Sequence, residues 1–98
     1  MIEITEHAKK RLEERVGTYE GFRTWNQLVK HVRYHGTPLY KMSVDEYNYI
    51  MQHLDKRKFT NSMKIRLYRG FFYIFRGNAG HARTLITVIK YEGEENAN

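Results

Sequence analysis

The feature that most constrains the fold is the segment Met63–Tyr91, which reads MKIRLYRGFFYIFRGNAGHARTLITVIKY. It contains three runs of β-branched and aromatic residues separated by breaks with glycine, the pattern of strands joined by hairpin loops. In the first run, apolar residues alternate with Lys64, Arg66 and Tyr68. Because side chains alternate with period two, this strand should have one apolar face and one basic, aromatic face.

Two further strands complete the predicted sheet. Phe71–Arg76 is apolar on both faces, which is typical of a central strand covered on each side. Arg83–Tyr91 is aliphatic apart from Thr87 and predicts a third strand. Arg69 and Gly70 form the tight turn between the first two strands.

Three helices are predicted before the sheet, over Glu6–Val16, Thr24–His35 and Ser43 to about Arg57. The second helix is interpreted as structural. In the third, an apolar stripe that should face the core is formed by Val44, Tyr47, Ile50, Met51 and Leu54. For Tyr47, the alternative is a stacking role together with Tyr49. Met1–Ile4 predicts a short edge strand, and residues 36–42 predict a connector.

These elements predict an α+β fold in which about three N-terminal helices pack on a C-terminal antiparallel sheet of three to four strands. Ninety-eight residues suffice for one core. We expect a single domain over residues 1–91 and a disordered acidic tail over 92–98. The sequence leaves the oligomeric state open.

Composition excludes several classes of site. The chain has no cysteine, so it can form neither a disulfide nor a thiolate zinc site. His31 and His35 have the spacing of a metal pair, but no acidic residue nearby in sequence completes the set, and we expect no metal and no cofactor. No run of about 18 apolar residues occurs, so we expect a soluble, cytoplasmic protein without a membrane span.

The charge favours an anionic partner. The chain carries 17 Lys and Arg against 11 Asp and Glu, a net charge of +6. Nucleic acid is the most common partner of such a domain, and we favour RNA over DNA; the alternative is an ordinary solvated surface. The residues predicted to contact nucleic acid are Arg15, Lys56, Arg57, Lys58, Lys64, Arg76, His81 and Arg83.

The familiar catalytic motifs are missing, including phosphate-binding glycine loops and nucleophile elbows. The residue types present suffice for RNA cleavage without a metal, which needs a base, a proton donor and cations around the phosphorane. His7 and His81 are candidate acid or base groups. Arg11, Arg15 and Arg66 are candidates, with Lys64, for stabilising charge.

The segments ITEHAKKRLEERVG, KIRLYRGFFYIFRG and LITVIKY resemble a group of small bacterial and phage proteins. These begin with a helix of the form H-A-x-x-R-x-x-E-R and end with a strand reading L-I-T-V. More distantly, the chain resembles RelE-type toxins, barnase-like ribonucleases and colicin nuclease domains. The resemblance covers the two ends of the chain and leaves out residues 18–58.

The resemblance implies a site in which a residue of the first helix and a polar residue of a late strand converge on an RNA phosphate. Carried over to this chain, it implies catalytic roles for His7, Arg11, Arg66, Tyr68 and Thr87. For His7, the alternative is a helix cap or a residue at the edge of the core. For Thr87, the alternative is an ordinary strand residue with a satisfied hydroxyl.

Two functional hypotheses follow. The first is a metal-independent, toxin-like endoribonuclease that binds RNA on the basic face of the sheet, with an antitoxin as a further partner. The second is a non-catalytic phage-type protein that binds and inhibits a host protein or a nucleic-acid complex. Catalysis requires the five implied residues to converge on one cleft, whereas dispersed side chains favour the binding module.

Overall fold

The computed structural model describes residues 2–19, 21–54, 63–78 and 81–92. Within these ranges the chain forms three helices and five strands in an α+β arrangement. In chain order they are β1 (Glu3–Ile4), α1 (Glu6–Arg11, continued by a π-helical turn over Leu12–Val16), α2 (Trp25–His35), β2 (Thr37–Pro38), a 3-10 turn (Leu39–Lys41), α3 (Val44–His53), β3 (Met63–Tyr68), β4 (Phe71–Asn78) and β5 (His81–Lys90).

The strands form one mixed sheet in the order β1-β5-β4-β3-β2. All neighbours are antiparallel except β1, which runs parallel to β5. The prediction of three to four strands, all antiparallel, is therefore wrong for the described residues, which form five. The unexpected strand is β2, where the predicted connector pairs with Arg66 and Leu67. Two residues are too few for an alternating pattern to be recognised.

Strand β4 is buried on both faces, as predicted. Tyr73 and Phe75 belong to a core shared with α1 and α2, and Phe72 and Ile74 belong to a core shared with α3. Because successive side chains point to opposite faces, one strand supplies both cores. The two sides of the sheet are named here the α1–α2 face and the α3 face.

The helices begin at the predicted caps. The hydroxyl oxygens of Thr5, Thr24 and Ser43 accept hydrogen bonds from backbone N–H groups in the first turns of α1, α2 and α3. The first helix departs from the prediction after Arg11 by widening into a π-helical turn. There the N–H of Gly17 donates to the carbonyl of Leu12, five residues earlier, over 2.8 Å.

Helix α3 meets the sheet with part of the predicted stripe: Ile50 is buried, and Met51 and Leu54 pack against the same core, as predicted. The start of the stripe faces away from the sheet, because the helix is rotated about its axis relative to the prediction. Val44 is 75% exposed and Tyr47 is 45% exposed, so the prediction that they face the core is wrong. Tyr49 meets the sheet instead. Its ring stacks on Phe72 with centroids 6.0 Å apart, and its hydroxyl donates to the carbonyl of Lys90 over 3.0 Å.

Two predictions fall partly outside the described residues. Residues 55–62 include the predicted end of the third helix, and residues 93–98 include most of the predicted tail. None of the described helices is long and apolar enough to cross a membrane.

Gly36 marks a close approach between α2 and β3. A Cβ atom at this position would lie 2.7 Å from the carbonyl oxygen of Val32 and 3.0 Å from the Cβ of Arg66. We expect Gly36→Ala to lower the free energy of unfolding by about 1–3 kcal/mol, measured by urea denaturation. The control Lys30→Ala, exposed on α2, should change it by less than about 0.5 kcal/mol. Equal effects would contradict the close approach.

Candidate nucleic-acid interface

Charge is segregated along the chain and then in the fold. Residues 21–44 and 56–91 contain no Asp or Glu, yet they hold 13 of the 17 Lys and Arg. The first segment forms α2 and β2, and the second forms β3, β4 and β5. Because β2 pairs with β3 and α2 packs on β3 and β4, folding brings the two acid-free segments together. The two acid-free segments therefore lie side by side along β2 and β3.

A basic cluster of Arg33, Lys64 and Arg66 lies where α2 ends over β3. The Nε of Arg66 donates to the carbonyl of Arg33 over 3.2 Å, and its Nη1 donates to the carbonyl of Ile65 over 3.0 Å. Lys64 precedes Arg66 by two residues and lies on the same face, since their partners Phe75 and Tyr73 belong to one core. The guanidinium of Arg66 is thus held in a fixed position.

Burial and a neighbouring cation both act on the guanidinium of Arg66 in the basic cluster. Burial, together with the nearby guanidinium of Arg33, lowers the pKa of Arg66, while Tyr40 opposes the shift. An arginine side chain stays protonated in proteins, so the positive charge remains. A bound anion would relieve the repulsion between the two guanidinium groups.

Exposed tyrosines flank the basic cluster. Tyr34 is 56% exposed on α2, and Tyr40 is 83% exposed in the 3-10 turn that follows β2. The guanidinium of Arg33 lies 5.5 Å from the centroid of the Tyr34 ring. Tyr40, Lys64 and Arg66 line one groove of about 180 Å³ along the β2–β3 edge. Cations and exposed tyrosines therefore lie close together around the end of α2 and the β2–β3 edge, here called the α2–β3 surface.

The residues implied to be catalytic lie on both sides of the sheet. Arg66 and Tyr68 are on the α1–α2 face, where α2 covers part of β3: Arg66 contacts the end of α2, and the ring of Tyr68 packs against His31 with centroids 5.4 Å apart. Thr87 pairs with Ile74, whose side chain belongs to the core on the α3 face. The sheet therefore separates Thr87 from Arg66 and Tyr68.

Two further residues implied to be catalytic, His7 and Arg11, lie on α1. His7 is exposed at the second position of the helix, and Arg11 forms an ion pair of 2.9 Å with Glu14. Helix α1 contacts β5, whereas Arg66 lies on β3, two strands and about 10 Å away. The five residues do not share one cleft in this structure.

Arg15 contacts the sheet edge. Its Nη1 donates to the carbonyl of Val88 over 2.6 Å, on a stretch of β5 that extends beyond its two-residue pairing with β1. Tyr49 donates in the same way to Lys90. These side chains satisfy edge carbonyls that could otherwise pair with another strand.

The other residues predicted to contact nucleic acid are dispersed. Arg76 is exposed and pairs with Met63, which packs on the α3 face, and Arg83 is exposed near the start of β5. Lys56, Arg57 and Lys58 lie outside the described residues, as does the side chain of His81. Lys64 is the member of the predicted set that joins the α2–β3 surface, where Arg66 also lies.

The sequence analysis did not select Arg33 and Tyr34, because it interprets the second helix as structural. It did not select Tyr40, because it interprets residues 36–42 as a connector. Helical periodicity identifies the buried residues of α2, which are Leu28, Val29 and Val32. It does not show what the exposed side of this helix binds. The absence of acidic residues from 21–44 is the signal that could have found them.

The dependence of stability on salt concentration tests the electrostatic repulsion within the basic cluster, because salt screens it. When salt rises from about 0.01 M to about 0.15 M, the screening length falls from about 30 Å to about 8 Å, and we expect the wild-type protein to gain stability. Arg33→Gln should reduce this gain, measured by urea denaturation at both salt concentrations. Lys10→Gln removes a cation 3.9 Å from Glu14 and should not reduce it. Equal gains in Arg33→Gln and wild type would contradict the repulsion.

Comparisons of the chain with protein-family models, with curated proteins and with solved structures found no match.

Proposed function

We propose that this protein binds single-stranded RNA on the α2–β3 surface. The observation that carries the proposal is the basic cluster itself: Arg33 and Arg66 are close together despite their like charge, beside exposed tyrosines and on a side formed by acid-free segments. A phosphate backbone that passed beside both guanidinium groups would be attracted by both charges.

The phosphate contacts follow from the geometry of arginine. A guanidinium presents a planar set of donors that matches two phosphate oxygens at once. The Nε and Nη1 of Arg66 are directed to backbone carbonyls, which orients the group toward the groove shared with Lys64 and Tyr40. Partial burial strengthens its attraction for an anion, because the local dielectric is lower than that of water.

The tyrosines favour an unpaired strand. Aromatic rings stack on bases only when those bases are free of a duplex, and proteins that bind single strands combine such rings with a cationic groove. Tyr34 and Tyr40 are the two most exposed tyrosines among the described residues. RNA is chosen over DNA on the resemblance to RNA-cleaving proteins.

Binding is proposed here without cleavage. The RelE-like or barnase-like relationship and the endoribonuclease activity stay predictions. Cleavage is left out of the proposal because Thr87 lies on the opposite face of the sheet from Arg66 and Tyr68, and because the helix with His7 and Arg11 packs on β5. An antitoxin or a host protein also stays a predicted partner. If a partner protein bound the α2–β3 surface mainly through apolar contacts, its affinity would depend little on salt concentration.

The salt dependence of binding tests the phosphate contacts. For an unstructured RNA oligonucleotide, we expect the logarithm of the association constant to fall linearly with the logarithm of salt concentration, by about 0.7 for each phosphate contacted. Lys64→Gln should reduce the slope by about 0.7, measured by fluorescence anisotropy. Lys10→Gln, on α1, should leave it unchanged. A flat response in the wild-type protein would contradict RNA binding and favour a protein partner.

Stacking can be tested separately from charge. We expect Tyr40→Ala to weaken RNA binding by about 1–3 kcal/mol, or about 5-fold to 150-fold, without changing the salt slope. Tyr47→Ala is the matched control, because Tyr47 is an exposed tyrosine on α3, across the sheet. Equal losses in the two variants would contradict stacking at Tyr40. Gel analysis of the same samples in EDTA would reveal any RNA cleavage.

A further inference from the structure

A cavity of about 180 Å³ lies beside the turn that joins β3 to β4. Its walls include the side chains of Leu28, Tyr68 and Phe71, and exposed Thr18 and Arg69 also line it. For comparison, an engineered apolar cavity of about 150 Å³ in another protein binds benzene. The turn-end cavity is therefore large enough for a planar aromatic ring.

Tyr73 supplies a polar group to the turn-end cavity. The residue is 1% exposed, it lines the cavity, and no described residue forms a hydrogen bond with its hydroxyl. Among the described residues, every fully buried polar side-chain atom has a hydrogen-bond partner. Because the Tyr73 hydroxyl has none, it is not fully buried. It therefore opens into the cavity. Burial raises the pKa of Tyr73, so the hydroxyl remains a hydrogen-bond donor at neutral pH.

Arg69 places a cation beside the same cavity. Its guanidinium lies 5.0 Å from the centroid of the Tyr68 ring. The backbone of Arg69 has φ of 48° and that of Gly70 has φ of 84°, as a two-residue hairpin turn between β3 and β4 requires. This turn holds Arg69 at the cavity. The cavity thus combines aromatic walls, one inward hydroxyl and a guanidinium group.

We propose that the turn-end cavity receives the base of one unstacked nucleotide, with the Tyr73 hydroxyl bonded to the base edge and Arg69 bound to the adjacent phosphate. The inference rests on the proposed function, because Tyr68 follows Arg66 by two residues on the same face of β3, about 7 Å along the strand. A strand held by the basic cluster would pass the cavity. A free nucleotide has the same chemistry, so the experiment must distinguish the two sources.

The experiment compares three ligands on the full-length protein by fluorescence anisotropy and competition. They are an RNA oligonucleotide, the same oligonucleotide with one central abasic position, and free nucleoside 5′-monophosphates. Tyr73→Phe keeps the ring and removes only the hydroxyl. Thr18→Trp places a bulky ring on an exposed residue beside the cavity, so the core is left intact. Tyr47→Phe is the control.

We expect Tyr73→Phe to weaken binding of the intact oligonucleotide by about 2-fold to 10-fold, the usual range for one neutral hydrogen bond. Thr18→Trp should weaken it at least as much. Neither variant should change the salt slope, and both should bind the abasic oligonucleotide like the wild-type protein. Tyr47→Phe should behave as wild type throughout.

The two proposals fail in different ways. In the first case, the oligonucleotide binds with the expected salt slope, but binding is changed neither by the abasic position nor by Tyr73→Phe or Thr18→Trp. The cavity proposal is then overturned and the proposed function stands. If monophosphates bind and the cavity variants weaken them, while no oligonucleotide binds, the nucleotide site stands and strand binding is overturned. If neither class of ligand binds, both are overturned.

Discussion

The burial of β4 on both faces is the constraint on which the rest of this structure depends. Tyr73 and Phe75 require a helical layer on one side of the sheet, and Phe72 and Ile74 require one on the other. Helices α1 and α2 cover the first face and α3 covers the second. Since β3 and β5 flank β4, their alternate residues must also fit beneath these helices. The position of every candidate functional residue follows from this three-layer arrangement.

The burial of β4 on both faces also explains why the basic face of β3 is not fully exposed to solvent. Lys64, Arg66 and Tyr68 lie on the face that α2 partly covers, so Arg66 is half-buried and bonded to the end of that helix. Folding brings the guanidinium groups of Arg33 and Arg66 close enough to act on each other electrostatically. The exposed side chains of Tyr34 and Tyr40 flank this surface. In the proposed function, it is these rings that favour a single strand over a duplex.

The sequence predicted most elements, because alternation in the strands and caps at the helices are local signals. It did not predict β2, whose two residues are held only by pairing with β3. It also placed Tyr47 in the core, because periodicity gives a stripe on α3 but not the rotation that lets Tyr49 stack on Phe72. Of the residues on the proposed surface, the sequence analysis named Lys64 and Arg66 on β3. Arg33 and Tyr40 join them only through tertiary packing, which no local pattern encodes.

The central claim is that an RNA strand lies across α2, the 3-10 turn and β3. Backbone amide chemical shifts of the isotopically labelled protein, followed during titration with an unstructured RNA oligonucleotide at low salt, test it most directly. The account predicts that the largest changes fall on residues 30–41 and 63–70, with α1 little affected. Changes centred on His7, Arg11 and the β5 edge, or no changes at all, would contradict it.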